Sequence, residues 1–313
     1  MKFTYHNILK AIAVSSLICL PIANGFAGNG ACSNDPAVSC STKSQSSLET
    51  RKNKVAEIYK GLIYPNPKAV LADHSIVNHI FEESVVKGRV NPAGAYGDFE
   101  AAIEYFYALA YTGASMVDSV EVLSLVASGD KVAVEVDIHF CNAPYNACNP
   151  AVKVDASNTT LRQTGFYTFN ANDKVISFDL TIPNLGKAHN RQTDAQRMQD
   201  IINVCAVLTT AHYNVINEQV VYQGTCPTYF DGPEDFPAGF PAVQGQPMLN
   251  CISHMMSIPY GTWDQPESNT VVCRMLHSLI TPIRPEVHCP HVSYFGGGEC
   301  VDKPYSHFFE AEF

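Results

Sequence analysis

Apolar positions recur at two different periods along the chain, and the change of period divides it. From Leu48 onward Val55, Ile58, Tyr59 and Leu62 fall at helical spacing. Pro65 and Pro67 close that helix, and Pro67 to Ala72 can form a short second one. Ile76 to Phe81 reads as extended. Asp98 to Tyr111 is a third helix with Asp98 at its N-cap and Ile103, Phe106, Tyr107 and Ala110 on its apolar stripe. The period then shortens to two. Met116 to Ala127 is a strand ending in the turn Ser128-Gly129-Asp130. Lys131 to Phe140 alternates, with Val132, Val134, Val136, Ile138 and Phe140 on one face and Lys131, Ala133, Glu135, Asp137 and His139 on the other. Leu161 to Phe169 and Lys174 to Ile182 follow, joined by the turn Asn170 to Asp173. Helices first and an antiparallel meander afterwards predict an α+β fold rather than a parallel α/β sheet.

Beyond Lys187 the texture changes again. Met198, Ile201, Ile202, Cys205, Leu208, His212, Val215 and Ile216 predict one long amphipathic helix. After Gly224 the chain is dense in Pro, Gly and Cys. A shorter helix is expected over Val271 to Ile280, capped by Ser268 or Asn269, with the remainder mostly loop. The expected organisation is therefore a signal peptide (1–27), a loose arm (28–47), an α+β domain (48–186) and a helical, cysteine-rich C-terminal region (187–313) that wraps and is stapled.

The N-terminal segment sets the expected address. Lys2 and Lys10 precede the apolar run Ala11 to Ile22, and Ala23 to Ala27 supplies small residues for cleavage. The run is short for a membrane span, and no later stretch is long and apolar enough to be one. Cleavage after Ala27 removes two lysines and no acid, which moves the net charge from −10 to −12. Without any basic run, that balance speaks against nucleic acid or an anionic membrane surface as partner. Cleavage also removes Cys19 and leaves ten of eleven cysteines, an even number that suits disulfides in a secreted or periplasmic protein. Cys141 and Cys148 flank a short Pro- and Asn-rich loop and are expected to pair. Asn158-Thr159-Thr160 is a glycosylation acceptor only in a eukaryotic secretory pathway.

The stretches LADHSIVNHIF, DFEAAIEYFYALA, VLSLVASGDKVAVEVDIHF and TGFYTFNANDKVISFDLTI follow the order of the nuclear transport factor 2-like superfamily, and residues 48–186 resemble its SnoaL-like branch. The resemblance implies a sheet curled around helices to leave a conical pocket. It also implies a small apolar or aromatic ligand, and acid–base chemistry such as cyclisation, isomerisation or dehydration. Members without catalysis are common, so a pocket protein without turnover and a disulfide-stapled interaction protein stay open. Asp179 matches the last-strand aspartate of the cyclases. His139, His74 and Asp73 are its candidate acid–base partners, with Tyr105, Tyr167 and Glu135 as ligand contacts. The open sheet face offers a homodimer surface. The same alternation also describes a sheet with one solvated face, and Asp73 is equally a helix-end cap.

The C-terminal region concentrates a second chemistry: Cys251 and His254, Cys273 and His277, then His288, Cys289, His291 and Cys300. His and Cys are the usual zinc ligands, and Cys273 and His277 share a helix face. No CxxC, HExxH or CxxCH is present, and disulfides account for the cysteines as readily. No cofactor is therefore expected. If a metal binds, the ligands are drawn from His254, His277, His288 and His291 rather than from oxidised cysteines. The Gly296-Gly297-Gly298 run is not a phosphate loop, because no Lys-Ser/Thr follows it.

The export reading has a direct test. Mass spectrometry of the extracellular or periplasmic protein should find a mature N-terminus near Gly28, and an intact Met1 on a cytosolic protein would refute it.

Overall fold

A computed structural model describes residues 42–112, 115–141, 158–190, 193–304 and 306. The expected signal peptide, most of the expected arm and Cys148 lie outside these residues. Cys141 is disulfide-bonded, and the other end of that bond lies outside them too.

The chain opens with α1 (Thr42–Gly61) and α2 (Asn66–Ala72). The segment expected to be extended after α2 instead begins as a 3₁₀ turn, His74–Val77. Asp73 causes it: its carboxylate accepts the backbone N–H of Ser75 and caps the turn. Two short strands that periodicity did not reveal follow, β1 (Lys87–Asn91) and β2 (Gly94–Tyr96). They are brief and carry Gly and charge, so no alternation develops. The third helix begins after Asp98 as expected, with Asp98 accepting from the Ala101 N–H. It is α-helical only over α3 (Phe99–Ile103) and widens into a π-turn over Glu104–Ala108.

The meander is β3 (Met116–Ser128), β4 (Lys131–Cys141), β5 (Asn158–Phe169) and β6 (Val175–Thr181). Among the described residues the main sheet has six strands in the order β2-β1-β6-β5-β4-β3. Every pairing is antiparallel except β1 with β6, which is parallel, so the sheet is mixed. Val132, Val134, Val136 and Ile138 face inward as their alternation predicted. They pack with Val55, Ile58 and Tyr59 of α1, Ile103, Phe106 and Tyr107, and Tyr167, Phe178 and Leu180 of the neighbouring strands. The helix-facing side of the sheet is thus filled with large side chains, Tyr59, Tyr107, Tyr167 and Phe178 all being buried. The fold is α+β, helices held in a curved sheet, followed by a disulfide-stapled extension.

In that extension α4 (Leu185–His189) leads to α5 (Asp194–Thr209), which opens on a capping box between Thr193 and Gln196. The long helix expected to reach Ile216 stops at Thr209. The chain turns instead through the hairpin β7 (His212–Asn214) and β8 (Gln219–Val221), with the Asn214 carboxamide accepting from the N–H groups of Ile216 and Asn217. Val215 stays on the apolar pattern because it packs into the sheet's core. The helix expected from Val271 is α7 (Val271–Ser278), and two further helices occupy what read as loop, α6 (Pro247–Ser257) and α8 (Pro285–Val292). Thr270, not Ser268 or Asn269, caps α7 by accepting from the Cys273 N–H. A second core gathers Ile201, Val204 and Leu208 of α5 with Phe230, Met255, Val271 and Val292. A third, smaller cluster joins Leu161 of β5 and Leu185 to Val272 and Leu276 of α7, which ties the extension to the sheet. Disulfides Cys205–Cys251, Cys226–Cys289 and Cys273–Cys300 staple the extension. Residues 43–313 form one compact unit.

Gly165 in β5 marks the tightest strand contact. Its φ is +150°, and an added Cβ would lie 2.1 Å from the Asp179 carbonyl oxygen. Gly165→Ala should therefore destabilise the protein by more than the ~1 kcal/mol of an ordinary substitution. A urea or thermal melt matching wild type would contradict this reading of the β5–β6 contact.

Candidate functional site

The acids expected to do chemistry on the sheet have partners dictated by strand register. Asp179 stands opposite Arg89 of β1, which binds both its oxygens at 2.9 and 2.8 Å. Asp137 is bound in the same way by Arg162 opposite it, at 2.8 Å twice, and Glu135 is 3.2 Å from the same guanidinium. These groups lie on the face away from the helices. Asp179 also lines a groove of about 640 Å³ there, with Lys87, Lys131, Phe166, Thr168 and Ser177 among its walls.

The other sheet candidates lie elsewhere. His139 is buried and its Nδ1 is 2.8 Å from the Thr160 hydroxyl. His74 pairs with Glu100 at 2.8 Å. Asp73 is occupied as a cap, and hydrogen bonds from Ser75 hold its carboxyl below the usual range. Tyr167 is fully buried and donates to Tyr59, whose own hydroxyl donates to Gln163. The structure does not gather Asp179, His139, His74 and Asp73 in one place.

It does gather Tyr105 with three of the four histidines. His277 sits near the end of α7, one turn after Cys273. His288 and His291 are three residues apart on α8 and so share a face. Their donor atoms lie within 4.8 Å of one another. His277 Nδ1 is 3.4 Å from His288 Nδ1, 3.3 Å from His291 Nδ1 and 3.3 Å from the Tyr105 hydroxyl. His277 and His288 are buried, and His291 is half-buried at the edge.

Glu104, beside Tyr105, is 0% exposed, and the π-turn begins at this pair. Widened turns of this kind recur at functional positions. The Glu104 carboxylate accepts the Nε2–H of His288 at 3.1 Å and forms an ion pair with Arg284 at 2.8 Å. With its Nε2 proton committed, His288 turns an unprotonated Nδ1 toward the other two rings. Burial, then the neighbouring rings His291 and His288, keep His277 well below the usual histidine pKa. Burial also lowers His291. The same cause pushes the Tyr105 phenol well above its usual value, with nearby Glu299, Glu104 and Glu267 adding to the rise.

Two devices hold this geometry. Cys273–Cys300 and Cys226–Cys289 anchor α7 and α8 right beside the ligand-bearing positions. Arg274, fully buried, donates to the carbonyls of Thr270, Ser293 and Tyr294 and so ties α7 to the end of α8. Sequence reasoning missed Glu104, Arg274 and Arg284. The only signal was an acidic residue in the stripe-bearing stretch Asp98 to Tyr111, and nothing local said that it would be buried.

His254, the fourth histidine, is not in the cluster. It packs against Tyr294 at 4.8 Å and Phe236 at 6.4 Å between ring centres, and neither ring nitrogen has a hydrogen-bond partner among the described residues.

The model of the BfoA family C-terminal domain matches residues 243–303, the stretch that holds α6, α7, α8 and all three clustered histidines. No curated protein matches the chain significantly. Among solved structures the chain is similar to a protein assigned as a SnoaL-like polyketide cyclase from a Jannaschia species, at 12% identity over 47% of this chain and 95% of that one, TM-score 0.34. It is similar to an LEH-like epoxide hydrolase of M. tuberculosis at 9% identity, covering 43% and 79% of the two chains, TM-score 0.31. A de novo designed protein with a curved β-sheet is similar at 18% identity, covering 44% and 90%, TM-score 0.31.

Burial drives the His254 pKa down to about 3. The folded state therefore binds up to one proton fewer than the unfolded state between pH ~6.5 and ~3, and stability is lost as the pH is lowered through that window. His254→Phe should remove up to ~1.4 kcal/mol of this loss per pH unit. Denaturant melts at pH 7 and pH 4.5 check it; an unchanged acid slope in the variant would count against the burial argument.

Proposed function

We propose that this is an exported protein that acts on a small molecule by acid–base chemistry, with its working site at the seam of Glu104, Tyr105, His277, His288 and His291. The observation that carries the reading is the fully buried Glu104 carboxylate, from which a continuous set of polar contacts runs through His288 and His277 to the Tyr105 hydroxyl. Polar groups assembled at such depth cost stability unless they are paired, and here each contacts the next. Glu104 orients the His288 ring through its Nε2. Tyr105, kept as a phenol by burial, is suited to donate a hydrogen bond to a developing enolate or alkoxide. His291, half-buried, is the edge at which a ligand meets the site. The disulfides fit an oxidising compartment and so support export.

A second reading keeps the chemistry on the sheet, with Asp179 as general base and His139, His74 or Asp73 as its proton partner. The groove beside Asp179 favours it. Against it stands the Arg89 pair, which occupies both carboxylate oxygens. The sheet's groove face also remains a surface for a second copy of the chain.

Turnover of a panel of esters, epoxides and enolisable ketones separates the two readings. Tyr105→Phe and His288→Gln should each lower the rate by about 10²–10⁴-fold, with Asp179→Asn close to wild type. The reverse pattern would move the site to the groove.

A further inference from the structure

His277 Nδ1 has more neighbours than a nitrogen can serve. A neutral imidazole nitrogen carries either one hydrogen or one lone pair in the ring plane, and so makes one directed hydrogen bond. Three heteroatoms stand around this one: the Tyr105 hydroxyl at 3.3 Å, His291 Nδ1 at 3.3 Å and His288 Nδ1 at 3.4 Å. His288 Nδ1 has no proton to give, because the Glu104 carboxylate takes the ring's Nε2–H. At most one of the three contacts is a full hydrogen bond at a time, and the other two are left without one.

A cation at the centre removes the conflict. Metal–nitrogen bonds of 2.0–2.1 Å in a tetrahedral site separate the ligand atoms by about 3.3–3.4 Å, which is the spacing from His277 Nδ1 to each of its three neighbours, and the three ring donors all lie within 4.8 Å of one another. We propose that His277, His288 and His291 bind one divalent transition-metal ion through their Nδ1 atoms, zinc(II) being the ion that this donor set suits, with the Tyr105 hydroxyl at the fourth corner.

Two further features agree with this. A carboxylate on the far nitrogen of a ligating histidine fixes its orientation and raises its basicity, and Glu104 does so for His288. Cys273 and Cys300 also lie within 4.8 Å of the His277 donor, but they are bonded to each other and offer no thiolate. The set is therefore three nitrogens rather than sulfur and nitrogen. The inference rests on the proposed working site for its consequence alone: a metal held there would act as a Lewis acid on a ligand that takes the fourth corner from the Tyr105 hydroxyl. Its test is metal binding, which is independent of turnover.

The oxidised, full-length exported protein, stripped with a chelator, is titrated with zinc(II) in a calorimeter and with cobalt(II) in the visible. Wild type should take up one equivalent of zinc and show the intense absorption of four-coordinate cobalt. His277→Ala and His291→Gln should weaken zinc binding by more than the ~10–100-fold that an outer partner such as Glu104 contributes. Glu104→Gln should fall within that range, and His254→Ala should bind as wild type does. Circular dichroism of each variant checks folding, and His291→Gln, at the half-buried edge, keeps the test available if His277→Ala does not fold. The inference is overturned if wild type takes up no stoichiometric zinc, or if folded His291→Gln binds it undiminished. Zinc bound as expected with turnover unaffected by Tyr105→Phe and His288→Gln would uphold the inference and sink the proposed function.

Discussion

One buried carboxylate couples the two parts of this protein. Glu104 comes from the helix that packs under the sheet, and it has no exposure to water. A charge in that position must be paired, and both partners, Arg284 and His288, come from the C-terminal extension. Removing one partner of such a pair generally costs about 3–5 kcal/mol, because the other charge is left buried and uncompensated. The extension is therefore held to the sheet by an electrostatic requirement as well as by the apolar contact of Leu161 and Leu185 with Val272 and Leu276. The same carboxylate sets which nitrogen His288 presents, and with it the character of the whole histidine cluster.

The disulfides work on a different scale from that pair. Each of the three between described residues lies within the extension and links segments that a thin core would hold poorly. Their second effect is on precision. Cys273 stands one turn before His277, and Cys289 lies between His288 and His291, so the covalent anchors and the ring donors share the same two short helices. Buried Arg274 adds a third constraint by gathering carbonyls from both. Short helices without such support would leave ring nitrogens free to move by more than the few tenths of an ångström that separate a working cluster from a loose one.

The sheet follows a different logic. Its interior is committed to large aromatic side chains, and the acids on its groove face are matched to arginines by register, Asp179 with Arg89 and Asp137 with Arg162. Cross-strand pairs of this kind stabilise and position a sheet. In that setting a carboxylate on a regular strand has a structural account before a catalytic one.

The sequence alone determined the α+β class, the inward face of β4, the Asp98 cap, the turns at Gly129 and Asn170, and the density of Cys and His near the C-terminus. These follow from local spacing and turn chemistry, which the chain carries within a few residues. What only tertiary structure decided is non-local. The parallel β1–β6 pairing joins residues about ninety positions apart. The end of α5 at Thr209 depends on Val215 finding room in the sheet's core. The choice of His277, His288 and His291 over His254 depends on which helix faces Glu104 and Tyr105. Periodicity reports which side of an element is apolar. It does not report which distant element will cover that side, and a buried carboxylate or a shared ring nitrogen exists only once the cover is in place.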